Sequence, residues 1–258
     1  MPSDLTRRGF FGSAATAAVL GSAATVAAVP GETERVAQPR PIKILGICCS
    51  PRKGKSTAAA LRICLDAVKA LDGQIEVELI ELAGRKIPGE VAAGIALEPG
   101  ERDDFPALVP KLSEPAVAAI ILGTPVYFGN MSSLCKAFLD RCIVFHKDKP
   151  LANKVAGVLA VGGARNGGVE LTVRSVQVAL MSQQMIVVGD ALPTGHWGGT
   201  VWGGNPAVNT GPTPDIARDV EGIASVKNLG RRVAEMALRL HANTPGSAVR
   251  PHAVRGFN

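Results

Sequence analysis

The chain has 258 residues, 47 % apolar, 19 % charged and only 4 % aromatic, with a formal charge of +6 at pH 7. That apolar share supports a globular core and excludes wholesale disorder, and the scarcity of aromatics favours an α/β core over an all-β sandwich. The positive charge is mild and unclustered, which argues against nucleic acid as a partner and suits the phosphates of a nucleotide cofactor.

In chain order, the first feature is a twin-arginine pattern, Thr6-Arg7-Arg8-Gly9-Phe10-Phe11. An uncharged stretch from Gly9 to Gly31 follows, rich in Ala, Gly, Ser and Thr, with small residues at Val26-Ala27-Ala28. A charged start, a weakly apolar middle and a small-residue end form the layout of an export signal read by the export machinery. A membrane anchor over residues 9–31 is the rival reading: the length suffices, but Leu, Ile and Phe are sparse. Residues 1–40 are therefore expected to be signal and linker, leaving a periplasmic or otherwise exported protein after cleavage. Residues 41–242 form the expected domain and 243–258 a loose tail.

From Ile42 onward, strand-like and helix-like stretches alternate. Ile42–Cys48 is an apolar run, Thr57–Leu71 carries apolar residues at helical spacing, and Ile75–Ile80 alternates as a strand. Gly84–Gly100 reads as loop and Asp103–Leu112 as a short helix. Val117–Leu122 is a buried-strand run, Ser132–Phe145 a helix, Lys154–Val161 a strand, Gly168–Met181 a helix and Met185–Val188 a short strand. Ala191–Pro214 reads as a long loop before a final helix over Asp215–Leu240. Five short strands with helices between them predict an α/β three-layer sandwich, a five-stranded parallel sheet covered on both faces. Right-handed crossovers leave few topologies. One of them, the flavodoxin-like order 2-1-3-4-5, places a ligand at the carboxyl ends of strands 1 and 3.

Three loops are expected at those strand ends. The first, Ser50 to Thr57, offers the hydroxyls of Ser50, Ser56 and Thr57 and the charges of Arg52 and Lys55 just where a helix begins. Helix-start N–H groups lack intrahelical partners and the helix dipole favours negative charge there, so this loop suits a phosphate. Gly54-Lys55-Ser56 matches the end of G-x-x-x-x-G-K-[ST], but Cys49 stands at the first glycine position, which argues against nucleotide hydrolysis. The dinucleotide fingerprint G-x-G-x-x-G is also missing. The second loop carries Pro125, Val126, Tyr127, Phe128 and Gly129, whose aromatics either pack beside a flat ring or plug the sheet end. The third carries Gly163, Arg165, Gly167 and Gly168, which either let backbone approach a ring edge or serve a helix-start turn. In the first case Arg165 is placed to stabilise charge on a reduced flavin.

Five cysteines remain, Cys48, Cys49, Cys64, Cys135 and Cys142, odd in number and without a C-x-x-C. They fit neither a disulfide framework nor a zinc site and read best as small buried hydrophobes. The stretch Gly195–Gly204 holds both tryptophans and His196. It reads either as a cover for a flavin and its acceptor or as an interface, and His196 either as a surface residue or as an acid in proton transfer.

GICCSPRKGKST, DDFPALVPKL, GTPVYFGNMSSLCKAFLDR and GGARNGG together resemble the flavodoxin-like NAD(P)H-dependent FMN reductases, most closely the branch containing the iron–sulfur flavoproteins. The resemblance covers about Ile42 to Gly189 and, more loosely, the last helix. It implies FMN held by the three loops, NAD(P)H as co-substrate, a small-molecule flavin or quinone-like electron acceptor, and a homodimer or homotetramer completing the site. Cluster-bearing members carry a compact cysteine motif before the DDF segment. Residues 85–94 here contain no cysteine, so no iron–sulfur cluster is expected. The alternative function is a non-enzymatic flavodoxin-like electron carrier, against which the basic charge and the long Trp/Gly stretch count. A cofactor-free binding module is a third. Free NAD(P)H is scarce outside the cytoplasm, so an exported enzyme needs another donor, or the N-terminus is not a signal.

Overall fold

The computed structural model describes residues 41–204 and 215–242. The expected signal and linker and the C-terminal tail lie outside these residues. The elements are β1 (Lys43–Cys48), α1 (Ser56–Leu71), β2 (Glu76–Glu81), α2 (Val109–Ser113), β3 (Val117–Tyr127), β4 (Asn130–Met131), α3 (Ser133–Arg141), β5 (Val155–Gly162), α4 (Val169–Ser182), β6 (Ile186–Val188), β7 (Gly199–Trp202) and α5 (Val220–Ala242). Among the described residues no helix is long and apolar enough to cross a membrane.

The main sheet runs β2-β1-β3-β5-β6, all parallel, which is the expected order with strands counted along the sheet. Among the described residues it holds seven strands rather than five, and both additions lie in segments read as loop. β3 continues past Leu122 to Tyr127 and folds back antiparallel onto β4, so the second loop is a hairpin. β7 lies within the stretch read as a long loop and pairs parallel to β5 at Leu159–Gly162, while β6 pairs with β5 at Val155–Gly157. The two therefore occupy one edge position in succession, interrupted by residues 189–198. Gly residues at 198 and 199 hid this strand: a Cβ on Gly198 would meet Val173 at 2.8 Å and one on Gly199 would meet Leu159 at 2.8 Å. Packing selects glycine here although strand propensity does not.

Side chains alternate between two cores because a strand has a period of two. Ile120, Leu122, Val158 and Ala160 face α2, α3 and α4, joined by Leu112, Phe138, Val173 and Val176. Ala119, Ile121, Leu159 and Val161 face α1 and α5, joined by Leu61, Cys64, Val226 and Val233. The expected helix over Asp103–Leu112 is a 3₁₀ turn at Pro106–Leu108 followed by α2, and the expected helix to Phe145 tightens to 3₁₀ after Arg141. The last helix also starts later than its apolar spacing suggests. A 3₁₀ turn spans Asp215–Arg218, and Asp219 breaks the helix by accepting the Gly222 amide at 3.0 Å.

Candidate functional site

The first loop connects β1 to α1. Ser50, Ser56 and Thr57 are buried, whereas Arg52 and Lys55 are exposed around them. Ser50 Oγ accepts the Arg52 amide at 3.2 Å, a local turn that bends the chain toward the helix. Glu81, at the end of β2, accepts the Gly54 amide at 2.7 Å and Arg62 Nη2 at 2.8 Å, so a carboxylate fixes the back of the loop. The start of α1 has no side-chain cap and no acidic residue in its first turn. A helix start that is uncapped, lined by hydroxyls and flanked by cations has the donors and the field for a phosphate.

Pro125, Val126 and Tyr127 form the last turn of β3 rather than a loop; Pro125 is buried, Val126 half-buried and Tyr127 exposed. Phe128 and Gly129 are the two central residues of the hairpin, with φ of 51° and 74°. Both lie in the left-handed region, which is the type I′ geometry that matches strand twist. Glycine takes it freely, whereas phenylalanine is strained there. Phe128 is nevertheless fully exposed at 108 %. The notion that it plugs the sheet end is therefore not what the structure shows.

In the third loop Gly163, Arg165 and Gly167 are exposed and Gly168 is half-buried. Gly168 has φ of 90°, and a Cβ there would stand 2.9 Å from Gly129 Cα. The glycine loop and the hairpin thus touch backbone to backbone. Arg165 is turned away from an open cation role: Nη2 bonds Asp219 at 2.8 Å and Nη1 bonds Glu221 at 2.9 Å.

The three loops are joined by residues that the sequence did not single out. Ser132 caps α3 by accepting the Cys135 amide at 3.1 Å, donates to the Cys49 carbonyl at 2.7 Å, and its amide bonds Thr124 Oγ1 at 3.1 Å. It ties the first loop to the hairpin. Trp202 Nε1 donates to the Gly163 carbonyl at 2.7 Å, and the Trp202 amide bonds buried Asp219 at 2.6 Å. A Cβ on Gly203 would lie 3.2 Å from Ser56, so the end of β7 reaches the first loop. A Ser or Asp directly before an apolar-periodic run is an N-cap signal, which marks Ser132 and Asp219 in principle. Nothing local marks Trp202, because its partner lies 39 residues away.

All five cysteines are free and buried. Burial pushes the Cys48 thiol up to about 11 and Cys142 to about 12, and raises Cys49 and Cys64 well above the ordinary thiol value. Neutral thiols are poor nucleophiles and poor metal ligands. Among the described residues no group of three or more His, Cys, Asp or Glu is placed to hold a metal ion.

The family described as NADPH-dependent FMN reductase matches residues 42–199. An iron–sulfur flavoprotein of Methanocaldococcus jannaschii is 37 % identical over 198 residues, 76 % of this chain and 97 % of its own. An NAD(P)H dehydrogenase (quinone) of Paracoccus denitrificans is 33 % identical over 171 residues, 62 % of this chain and 81 % of its own. Among solved structures, a WrbA-like flavodoxin from Agrobacterium tumefaciens superimposes with a TM-score of 0.51 at 18 % identity, covering 78 % of this chain and 99 % of its own. The last of these bears on the fold alone. The matched span takes in the first loop, the hairpin and the glycine loop, and the chain belongs to the NADPH-dependent FMN reductase family of FMN-dependent oxidoreductases.

Proposed function

We propose that the protein binds FMN across its three joined loops and uses it to pass electrons from NADH or NADPH to a quinone-like acceptor or free flavin. The observation that carries this is the uncapped, hydroxyl-lined start of α1, tied to the hairpin through the Ser132 bond to Cys49 and approached by the end of β7, whose Trp202 bonds the glycine loop at Gly163. FMN, when bound, supplies two-electron chemistry by taking up and releasing a hydride. The residues of this chain hold and orient it. Ser50, Ser56 and Thr57 bond the phosphate, with Arg52 and Lys55 adding charge around it. Pro125 to Gly129 shape one wall for the ring, and Gly163, Gly167 and Gly168 offer backbone to its polar edge. Arg165, already compensated by two carboxylates, holds the glycine loop in place as its main task.

The relatives named iron–sulfur flavoproteins raise the question of a cluster. We read this chain as lacking one, because residues 85–94 carry no cysteine and all five cysteines lie buried and apart from that segment in sequence. Stoichiometric iron and acid-labile sulfide in the purified protein would overturn that. We read the protein as a homodimer or homotetramer, supported by fully exposed Phe128 and by exposed Leu171, Val178 and Met181 along α4; light scattering tests it. Residues 1–40 read as a twin-arginine signal that exports the folded protein, with an anchor over 9–31 as the alternative. Export that survives Arg7→Lys with Arg8→Lys would refute the signal.

The decisive experiment is a visible spectrum of the purified domain, followed by anaerobic NADH or NADPH. A yellow protein bleached by either is expected. A yellow protein bleached by neither is a carrier or takes another donor, and a colourless protein that refuses FMN refutes the site.

A further inference from the structure

β2 ends beside the point where the first loop begins. Glu81, its last residue, stands in register with Cys48, and the Leu82 amide bonds the Cys48 carbonyl at 2.9 Å. From there the Glu81 side chain, only 16 % exposed, reaches the loop. Its Oε2 accepts the Gly54 amide at 2.7 Å, and its Oε1 accepts Arg62 Nη2 from α1 at 2.8 Å.

The loop has need of this tie. Residues 51–55 are all exposed. Ser50 and Arg52 close a turn on each other, and the Gly54 bond joins the exposed run to a neighbouring strand. Gly54 has φ of 67°, and a Cβ there would meet nothing within 4 Å, so backbone conformation rather than crowding selects glycine. The reversal at Gly54 turns the chain into α1. The first intrahelical bond runs from the Ala59 amide to the Lys55 carbonyl at 2.9 Å, so the amides of Ser56, Thr57 and Ala58 precede the helical ladder. With the Gly54 amide engaged by Glu81, those three are the donors left to a phosphate. A carboxylate makes the stronger bond to a backbone amide, but its charge opposes a dianion nearby. Arg62 cancels that charge from the same helix that begins at Ser56.

We propose that Glu81, with Arg62 as its charge partner, is the positioning residue that lets the first loop distinguish a phosphorylated flavin from one without the phosphate. The inference rests on the FMN reading above. Glu81 does not touch the phosphate. It holds Gly54 in the left-handed turn, and the turn sets the helix-start amides and the hydroxyls of Ser56 and Thr57 before the ligand arrives. The ordering is therefore complete in the free protein, and binding does not have to supply it. Arg62 keeps the tie electrically silent toward the phosphate.

The test titrates FMN and riboflavin into the full chain stripped of flavin, read by flavin fluorescence. The two ligands share the ring and differ in the phosphate, so the ratio of their affinities isolates the first loop. Glu81→Ala should lower the preference for FMN by about 10-fold, the low end for a hydrogen bond to a charged group, while riboflavin affinity stays as in the wild type. Glu81→Gln retains an acceptor for the Gly54 amide and should restore most of the preference. Glu81→Asp, one methylene shorter, replaces the alanine variant should that one fail to fold. Arg62→Gln leaves the carboxylate uncancelled and should also lower the preference. Its deficit should shrink toward about 1 M salt, where the screening length falls to about 3 Å, whereas the deficit of Glu81→Ala should persist because it is geometric. An unchanged preference in Glu81→Ala, or an equal loss of both ligands, overturns the proposal, as does a Gln variant no better than Ala. A wild type that takes no FMN, or binds FMN and riboflavin equally, defeats the functional reading before any variant is compared. A preference lost in Ser56→Ala with Thr57→Ala but kept in Glu81→Ala leaves that reading standing and removes Glu81 from it.

Discussion

At the scale of single residues, the first loop makes a sharp prediction. Ser56 and Thr57 sit buried at a helix start that no side chain caps. Ser56→Ala with Thr57→Ala should weaken FMN binding by about 1–3 kcal/mol, the cost of hydrogen bonds lost to a charged group, read by flavin fluorescence titration. Unchanged affinity would place the phosphate elsewhere. Trp202 acts at one remove. Trp202→Phe keeps a ring in place but deletes the 2.7 Å bond to the Gly163 carbonyl. A loss of about 0.5–1.5 kcal/mol in FMN affinity is expected from one neutral hydrogen bond, with the melting temperature nearly unmoved. The cysteines are predicted to be inert. With every thiol buried and those of Cys48, Cys49, Cys64 and Cys142 raised by desolvation, the native protein should react slowly with a disulfide reagent and give all five thiols only when unfolded. Rapid modification of even one native thiol would contradict the packing described.

At the scale of elements, the long segment between β2 and α2 has little secondary structure, and one side chain anchors it. Arg141, buried at the end of α3, bonds Asp103 at 2.7 Å and the Pro88 carbonyl at 3.1 Å, and lies 4.9 Å from the centre of the Phe105 ring. Burial alone would push the Asp103 carboxyl up. The Arg141 hydrogen bond, the Phe105 amide and the Arg141 charge outweigh it and hold the group below its ordinary value. Arg141→Met leaves Asp103 without its charge partner and should cost about 3–5 kcal/mol in urea unfolding, as broken buried pairs do. A smaller loss in the double variant with Asp103→Leu would show that the penalty is the stranded carboxylate. An ion pair and an aromatic ring thus fix this segment.

At the scale of the whole molecule, the sheet is clamped at the end opposite the site by charges with a pH signature. Hydrogen bonds from Lys111 and then Lys43 hold Glu78 below its ordinary value, while Glu78 holds Lys43 above its own. Lys154 differs: burial lowers it to about 8, although its Nζ donates to the Leu112 and Glu114 carbonyls. The signs follow from linkage. Glu78 and Asp103 contribute stability above the unfolded carboxylate range, and it is lost as pH falls through their lowered folded values. For Lys154, between about 8 and its unfolded value near 10.4 the unfolded chain binds the extra proton, so stability should rise with pH there. Lys154→Met should flatten that rise in urea midpoints measured across the window. A slope that survives would assign it to another group.

The amino-acid sequence by itself determined that the sheet is parallel, because strands buried on both faces read as short apolar runs separated by helical spacing, and it left the observed order as one of a few. It also marked the three loops, since glycines, hydroxyls and aromatics at strand ends are local signals. The resemblance to FMN reductases rested on those loops together with the DDFPALVPKL stretch and the helix after the second loop. Only the tertiary structure decided what holds them together. β7 was invisible because its glycines are chosen by contact with Leu159 and Val173, which lie far away in sequence. Ser132 bonded to Cys49, Trp202 to Gly163, Arg165 to Asp219 and His196 to Asp190 are pairings between segments. The second of them is the instructive case. From sequence alone Trp202 was one of two tryptophans in a glycine-rich stretch, and the fold makes it the peg of the glycine loop. Arg165 shows the reverse: a cation free to face a flavin on paper is neutralised by two acids that only the fold brings to it. Periodicity reports which face of an element is buried, and local residue type reports which loop can hold a phosphate. Neither carries the partner of a hydrogen bond, because that depends on where the crossovers deliver the rest of the chain.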